Sequence, residues 1–181
     1  MSKSTSIRAE YERHGADGFY DQFGAEYRNP HEPGIRRALG AAIAQWHPDL
    51  LHVLDLAAGS GEVTLFLREN GAAKVDGIDP YTAEAYECRT GQIAERFNFA
   101  QIAAGALEGR RYSLIACSFA LHLCEKSRLP RLTMELSRIS DRLLILTPHK
   151  RPEIRPEWSW ELNGEIVIDR IRARWYRCKI L

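Results

Sequence analysis

A run of small residues that follows an apolar stretch is the part of the chain best suited to chemistry. Residues 53–61 read Val-Leu-Asp-Leu-Ala-Ala-Gly-Ser-Gly, so Asp55 is followed by a turn without bulky side chains. Such a turn lets a flat polar ligand approach the backbone closely. Asp79 ends the next apolar segment, and a carboxylate about 20 residues further on suits the hydroxyls of a ribose. The two features together predict a site for a nucleoside-containing ligand.

Alternating strands and helices would hold these residues in place. Strands are predicted at residues 51–56, 75–78, 97–102, 112–118 and 142–147, and helices at 35–46, 61–70, 82–89 and 129–139, with 28–34 as a loop. This alternation predicts an α/β fold, namely a Rossmann-like, doubly wound and mostly parallel sheet. A period-two pattern over residues 165–178, after a turn at Asn163 and Gly164, adds an antiparallel C-terminal strand. Open parallel sheets bind ligands at the carboxyl ends of their strands, where Asp55 and Asp79 are predicted to lie.

Length and composition fit one globular domain. The chain has 181 residues, of which 45% are hydrophobic and 27% are charged, and a net charge of +1 provides no general attraction for nucleic acid or anionic membranes. We expect residues 1–10 to be disordered and residues 51–181 to form the sheet core. No segment has the length or pattern of a membrane span or signal peptide, so a cytoplasmic location is predicted.

The four cysteines do not form paired metal-binding motifs. Cys117, His122 and Cys124 could in principle face a metal ion. The apolar strand around Cys117 instead favours a packing role for that side chain, and no metal is predicted.

The motifs resemble those of the class I S-adenosylmethionine-dependent methyltransferases, over roughly residues 51–148. The resemblance rests on Asp55-Leu-Ala-Ala-Gly-Ser-Gly61, on Gly77-Ile-Asp79 and on the apolar run from Tyr112 to Leu123. It departs at Ala57, where the family usually has the first of three glycines. The resemblance implies S-adenosylmethionine as cofactor. The cofactor-binding positions that it implies in the sheet core are Asp55, Ala57, Gly59, Gly61, Asp79, Pro80, Gln101, Ile102, Ser118 and Phe119.

The N-terminal segment is the second group of candidate residues. In methyltransferases of this type, a segment that bears tyrosines often covers the cofactor, and residues 11–50 are expected to do so here as a helical segment. Tyr20, Tyr27 and Arg28 could reach the cofactor carboxylate, for which an arginine has the best geometry. Packing of Tyr20 onto the domain is the alternative.

Two other interpretations of the glycine turn are less favoured. A dinucleotide site needs a third glycine, and Thr64 stands in that position. The Asp55 carboxylate would also repel a pyrophosphate, whereas it would attract an ammonium or a sulfonium. A turn that binds nothing is the remaining alternative.

Methyl transfer requires mainly alignment of the acceptor with an already activated methyl group. His31, His122 and His149 are weak candidates for a base, and no catalytic residue is assigned. A small-molecule acceptor is expected because no added recognition domain is visible. A cofactor-binding or non-catalytic partner subunit is the alternative, and an RNA methyltransferase, suggested by Arg170, Arg172 and Arg174, is less favoured.

Overall fold

The computed structural model describes residues 28–179, in which five helices surround one sheet. The helices are Glu32–Trp46 (α1), Glu62–Glu69 (α2), Ala83–Thr90 (α3), Phe99–Ala103 (α4) and Leu129–Ile139 (α5), with 3-10 turns at Leu121–Leu123 and Pro156–Trp158. The strands are His52–Leu56 (β1), Lys74–Ile78 (β2), Leu114–Ser118 (β3), Arg142–Thr147 (β4), Trp160–Ile168 (β5) and Ile171–Cys178 (β6).

The sheet has the order β2-β1-β3-β4-β6-β5. Strands β1 to β4 pair in parallel, and β6 pairs antiparallel with both β4 and β5. The order reverses at β1, so the connection from β2 must cross back to β3. This arrangement confirms the predicted Rossmann-like, mostly parallel sheet with an antiparallel C-terminal strand, and it opens a crevice at the carboxyl ends of β1 and β3.

Two apolar layers cover the faces of the sheet. Alternate residues of β1 point to opposite layers: Val53 packs with α1, and Leu54 packs with α5. All five residues of β3 are buried, because helices cover both faces of this central strand. Truncation of a buried leucine in such a layer typically costs about 2–5 kcal/mol, so the layers hold the strand ends rigidly.

The predicted strand at residues 97–102 is wrong, because residues 99–103 form α4 and Asn98 caps it. The Asn98 side chain accepts a hydrogen bond from the Gln101 backbone N–H (2.9 Å), and the Gln101 side chain accepts one from the Asn98 backbone N–H (3.0 Å). This reciprocal pair is a capping box, which satisfies amides at the start of a helix. The local cap outweighs the weak apolar pattern, so four parallel strands form rather than five.

The C-terminal region contains two strands where one was predicted. Asn163 and Gly164 lie within β5, at an irregularity of its pairing with β6, and the turn lies at Asp169 and Arg170, which both have positive φ. The predicted turn at Asn163 and Gly164 is therefore wrong. The antiparallel pairing of β6 with β4 is confirmed.

Helix α1 begins earlier than predicted. The loop ends at His31 rather than Gly34, because Pro33 occupies the first turn of the helix, where its missing N–H costs nothing. None of the helices described in residues 28–179 is long and apolar enough to cross a membrane. The single domain and the cytoplasmic location stay predictions.

Candidate functional site

A cavity of about 270 Å³ opens at the carboxyl ends of β1, β2 and β3. Its lining combines a small-residue turn, several carboxylates and three phenylalanines. The lining residues are Asn29, Leu56, Ala57, Gly59, Glu62, Asp79, Pro80, Tyr81, Phe97, Asn98, Phe99, Ala100, Ser118, Phe119, Ala120, Leu123, Cys124, Glu125 and Arg128. Six of the predicted cofactor residues are among them, namely Ala57, Gly59, Asp79, Pro80, Ser118 and Phe119.

The turn after β1 exposes its backbone to this cavity. Ala57 and Gly59 adopt left-handed conformations, with φ of 58° and 56°. The Ala58 N–H donates to the carbonyl of Ile78 at 2.9 Å, which ties the turn to β2. Ala57 thus has a left-handed conformation that favours glycine, which is the residue that the family usually has at this position.

Asp79 joins the two strand ends. Its Oδ2 accepts a hydrogen bond from the Gly59 N–H (3.0 Å), and its Oδ1 accepts from the N–H groups of Tyr81 (2.9 Å) and Thr82 (3.0 Å). The side chain is buried, with 7% of the residue exposed, yet it lines the cavity. A carboxylate has about four lone-pair sites, so Oδ2 retains capacity for a further donor.

Asp55 lies behind the cavity rather than in its lining. Its Oδ2 accepts hydrogen bonds from the backbone N–H and the hydroxyl of Thr64, at 3.0 and 2.6 Å. Burial raises the pKa of Asp55 to about 7, and these hydrogen bonds oppose the shift. The carboxylate therefore anchors the first turn of α2 and does not face the ligand space.

Gly61 also lies outside the lining and serves packing. Its φ is 85°, and a Cβ at this position would overlap the Thr90 methyl and press on the Tyr86 ring. The third small residue of the motif thus lets α3 approach the start of α2.

Gln101 and Ile102 are not brought to the cavity. The Gln101 side chain is exposed in the capping box of α4, and Ile102 is buried in an apolar layer. Phe97, Asn98, Phe99 and Ala100 line the cavity in this region instead. The displacement follows from the helix that replaces the predicted strand.

Ser118 and Phe119 end the central strand at the cavity. The Ser118 Oγ is buried and has no hydrogen-bond partner among residues 28–179. Phe119 has a φ of 54° and stacks on the ring of His31, with 5.3 Å between ring centroids. A buried polar atom without a partner beside a cavity indicates a place for a ligand's polar group.

The three candidate histidines lie outside the cavity lining. His31 stacks on the wall residue Phe119, and His122 contacts His149 edge to face, with 4.8 Å between centroids. Burial, reinforced by His149, lowers the pKa of His122 to about 4, so this ring is neutral at physiological pH. Among residues 28–179, no group of three His, Cys, Asp or Glu side chains is arranged to hold a metal ion.

The N-terminal candidates are described only in part. Tyr20 and Tyr27 lie outside the described residues. Arg28 is exposed and does not line the cavity, whereas its neighbour Asn29 is buried there.

Sequence reasoning missed the buried pair formed by Asn29 and Glu62. The Asn29 Nδ2 donates to Glu62 Oε1 at 3.0 Å, and both residues line the cavity. An acidic residue directly after Gly61 was the available signal, but acids at the first turn of a helix are usually exposed.

Comparisons with known proteins define the class. A family model described as a methyltransferase domain matches residues 53–141, which include β1, β2, β3 and the cavity-lining turns. An uncharacterised protein from Schizosaccharomyces pombe is 33% identical over 231 aligned positions, which cover 97% of this chain and 93% of the relative.

Solved methyltransferases share the fold. Magnesium protoporphyrin IX methyltransferase from Synechocystis PCC 6803, with bound S-adenosylmethionine, matches with a TM-score of 0.59 at 15% identity, over 99% of this chain and 100% of that chain. An S-adenosylmethionine-dependent methyltransferase from Aquifex aeolicus matches with a TM-score of 0.59 at 14% identity, over 87% of this chain and 95% of that chain.

The fold and the cavity at its switch point thus define a Rossmann-like methyltransferase. The chain belongs to the class I S-adenosylmethionine-dependent methyltransferase family. It is a methyltransferase, and the solved magnesium protoporphyrin IX methyltransferase contains S-adenosylmethionine in one structure and S-adenosylhomocysteine in another.

Proposed function

We propose that this chain transfers the methyl group of S-adenosylmethionine to a small-molecule acceptor, with the cofactor bound in the cavity at the ends of β1, β2 and β3. One observation carries the proposal. The Asp79 carboxylate and the exposed backbone of Ala57 and Gly59 line the same cavity and are joined by a 3.0 Å hydrogen bond. A carboxylate beside a bare backbone suits a ribose linked to a polar chain.

The lining suggests how the cofactor would lie. Ala57 and Gly59 would border the methionyl part, and Asp79 with Pro80 would hold the ribose. The adenine would lie between Tyr81 and the Phe97–Ala100 segment, where aromatic rings can stack on a base. Ser118 and Phe119 would complete the wall near the reacting sulfur. Asp55 and Gly61 support this arrangement from behind.

The chemistry places few demands on the protein. The cofactor supplies a methyl group on a positively charged sulfur. A nucleophile of the acceptor would form a bond to the methyl carbon while the carbon–sulfur bond breaks. The electron pair of the carbon–sulfur bond would stay on sulfur, and any proton on the acceptor would leave to water. The residues of the cavity need only hold the donor and the acceptor in line. His122 lies outside the cavity lining, where its ring contacts His149, so no base is assigned.

Charge pairing on β6 favours a small molecule over RNA. Arg172 and Arg174 each donate to Glu165, at 2.7 and 2.6 Å. Arg174 is also buried, with 6% of the residue exposed. Arg172 and Arg174 thus share one carboxylate, and the burial of Arg174 leaves its charge little access to phosphates.

Calorimetry with S-adenosylmethionine and S-adenosylhomocysteine tests the cofactor site. We expect both to bind, and we expect Asp79→Asn to weaken both by about 1.5–3 kcal/mol because one charged acceptor is lost. Asp76→Asn is the matched control, since Asp76 lies on β2, directly before the segment that contains Asp79, and pairs with His52 and Lys74 outside the cavity. Equal losses in the two variants, or no binding by the folded wild-type chain, would contradict the site.

Transfer of a labelled methyl group tests the acceptor class. The chain is incubated with methyl-labelled cofactor and a cell extract separated by size into small molecules, RNA and protein. Label in the small-molecule fraction supports the proposal, and label confined to RNA or protein overturns it.

A further inference from the structure

A buried carboxylate lines the cavity at the first residue of α2. Only 4% of Glu62 is exposed, and the residue follows directly on the glycine turn. Neither the motif nor the ribose site accounts for an acid here. Ionised side chains are rarely buried unless an opposite charge compensates them.

The hydrogen-bond partners of Glu62 are neutral. Oε1 accepts from the Asn29 amide at 3.0 Å, and Oε2 accepts from the Ser60 hydroxyl at 3.3 Å. Within residues 28–179, Glu62 forms no ion pair. Arg89, whose charge lowers the pKa of Glu62 from a distance, is held by Glu32 at 2.8 Å and by Ser60 at 3.2 Å.

The charged surroundings of Glu62 are acidic on balance. Asp55 in β1, Asp79 directly after β2, Glu32 on α1 and the lining residue Glu125 are acids. Among residues 28–179, the bases near this region are Arg89 on α3, which is held by Glu32, and the lining residue Arg128, which pairs with Glu125. Burial raises the pKa of Glu62, and Glu32 adds to the shift. A cation in the cavity would offset both the desolvation of the Glu62 carboxylate and its repulsion by the neighbouring acids.

A second observation in the same cavity points to a ligand. Ser118, with 8% of the residue exposed, also lines the cavity, and its Oγ has no hydrogen-bond partner among the described residues. The cavity thus contains both a buried acid without a counter-ion and a buried hydroxyl without a partner.

We propose that Glu62, positioned by Asn29, is the residue that binds the α-ammonium group of the cofactor's methionyl part. The inference rests on the proposed cofactor site and names one of its contacts. The ammonium donates hydrogen bonds to the Glu62 carboxylate and supplies the charge that the pocket lacks. Asn29 acts as a positioning residue, because its amide fixes Oε1, and it couples the segment before α1 to the occupied site.

Proton release is a consequence of this contact. A bound ammonium stabilises the ionised form of Glu62 and lowers its raised pKa, so binding must expel a proton wherever the empty site is partly protonated. Affinity for the cofactor therefore increases as pH rises through the acidic range. Asp55, whose pKa is also raised, is the other acid in this region that could release a proton, and it is tested separately.

Glu62→Gln separates charge from shape. Glutamine keeps the volume and an acceptor for Asn29 but has no charge, so affinity for S-adenosylmethionine and S-adenosylhomocysteine should fall alike, by about ten- to hundredfold. 5′-Methylthioadenosine lacks the amino-acid part, and its affinity should not change. Glu69→Gln, on the exposed side of the same helix, removes the same charge and should change neither affinity.

The outcomes separate the two proposals. If the wild-type chain binds neither cofactor form, the cofactor site itself fails. If the wild type binds but Glu62→Gln binds S-adenosylhomocysteine equally well, or loses methylthioadenosine to the same degree, the ammonium assignment is overturned. Calorimetry in two buffers of different ionisation enthalpy, at a series of pH values in the acidic range, should show proton release that persists in Asp55→Asn and disappears in Glu62→Gln. Release that persists in Glu62→Gln also overturns the assignment.

Discussion

Thr64 donates two hydrogen bonds to the same oxygen of Asp55. The backbone N–H lies 3.0 Å and the hydroxyl 2.6 Å from Oδ2, and the hydroxyl also lies 3.0 Å from the Tyr86 hydroxyl. Both Asp55 and Thr64 are almost fully buried. The acid of the glycine motif therefore binds α2 to β1 and fixes the turn between them, from which Ala57 and Gly59 reach the cavity.

Loss of the Thr64 hydroxyl should destabilise the fold. In Thr64→Val the shape is kept but a buried carboxyl loses its shortest hydrogen bond, so we expect the free energy of unfolding to fall by about 1.5–3 kcal/mol. Urea unfolding measures this loss. Thr64→Ser retains the hydroxyl and should cost clearly less, and an equal cost would show that the hydroxyl contributes nothing.

Asp55→Asn should change the pH dependence of stability. Burial raises the pKa of Asp55 from 3.8 to about 7, so the folded chain binds a proton more tightly than the unfolded chain. The contribution of Asp55 to the free energy of unfolding is greatest at low pH, where the group is protonated. This contribution is lost as pH rises from about 4 towards 7. Asparagine resembles the protonated acid, so the variant should gain about 3 kcal/mol relative to wild type over that range.

Unfolding curves at a series of pH values give this difference directly. The Asp76→Asn variant is a suitable control, because the pKa of Asp76 is lowered by its His52 and Lys74 partners against the effect of burial, so its sign is opposite. A wild-type-minus-variant difference that does not vary with pH would contradict the shift at Asp55.

The sequence predicted best those elements whose apolar pattern is strong. The bounds of α5 and β4 agree with the prediction residue for residue, since Leu129–Ile139 has helical periodicity and residues 143–146 of β4 are all apolar. Open parallel sheets bind ligands at the carboxyl ends of their strands, and this rule predicted the positions of Asp79 and Ser118, which line the cavity. Both successes depend on patterns within one segment.

The failures depend on contacts that a single segment does not show. Gln101 was assigned to a strand end because its neighbours in the sequence are apolar. The helix cap that it forms with Asn98 depends on side-chain hydrogen bonds, which the apolar pattern does not show. Glu62 was missed because its hydrogen-bond partner Asn29 lies 33 positions earlier in the chain. Neither contact leaves a periodic signal.

Gly61→Ala should destabilise the chain more than Gly71→Ala. Both glycines have positive φ, 85° and 92°, so alanine is strained at either position by roughly 1 kcal/mol. A Cβ at Gly71 meets no atom within 4 Å, whereas one at Gly61 overlaps Thr90 and lies 3.2 Å from the Tyr86 ring. The free energies of unfolding of the two variants measure the additional packing cost. Equal losses of unfolding free energy would mean that α3 shifts to accommodate the Cβ at no energetic cost.

Alanine substitutions at Asn98 and Gln101 should differ in their effect on cofactor affinity. The two residues cap α4 together, but only Asn98 lines the cavity, beside the phenylalanines where we place the adenine. Each alanine substitution removes half of the cap, so both should reduce stability by about 0.5–2 kcal/mol. Only Asn98→Ala should also weaken binding of S-adenosylhomocysteine, by at least a few-fold, because Asn98 lines the cavity and Gln101 does not. Calorimetry below the unfolding temperature of both variants distinguishes them, and a weaker affinity in Gln101→Ala alone would return the adenine contact to the residue that the family resemblance first indicated.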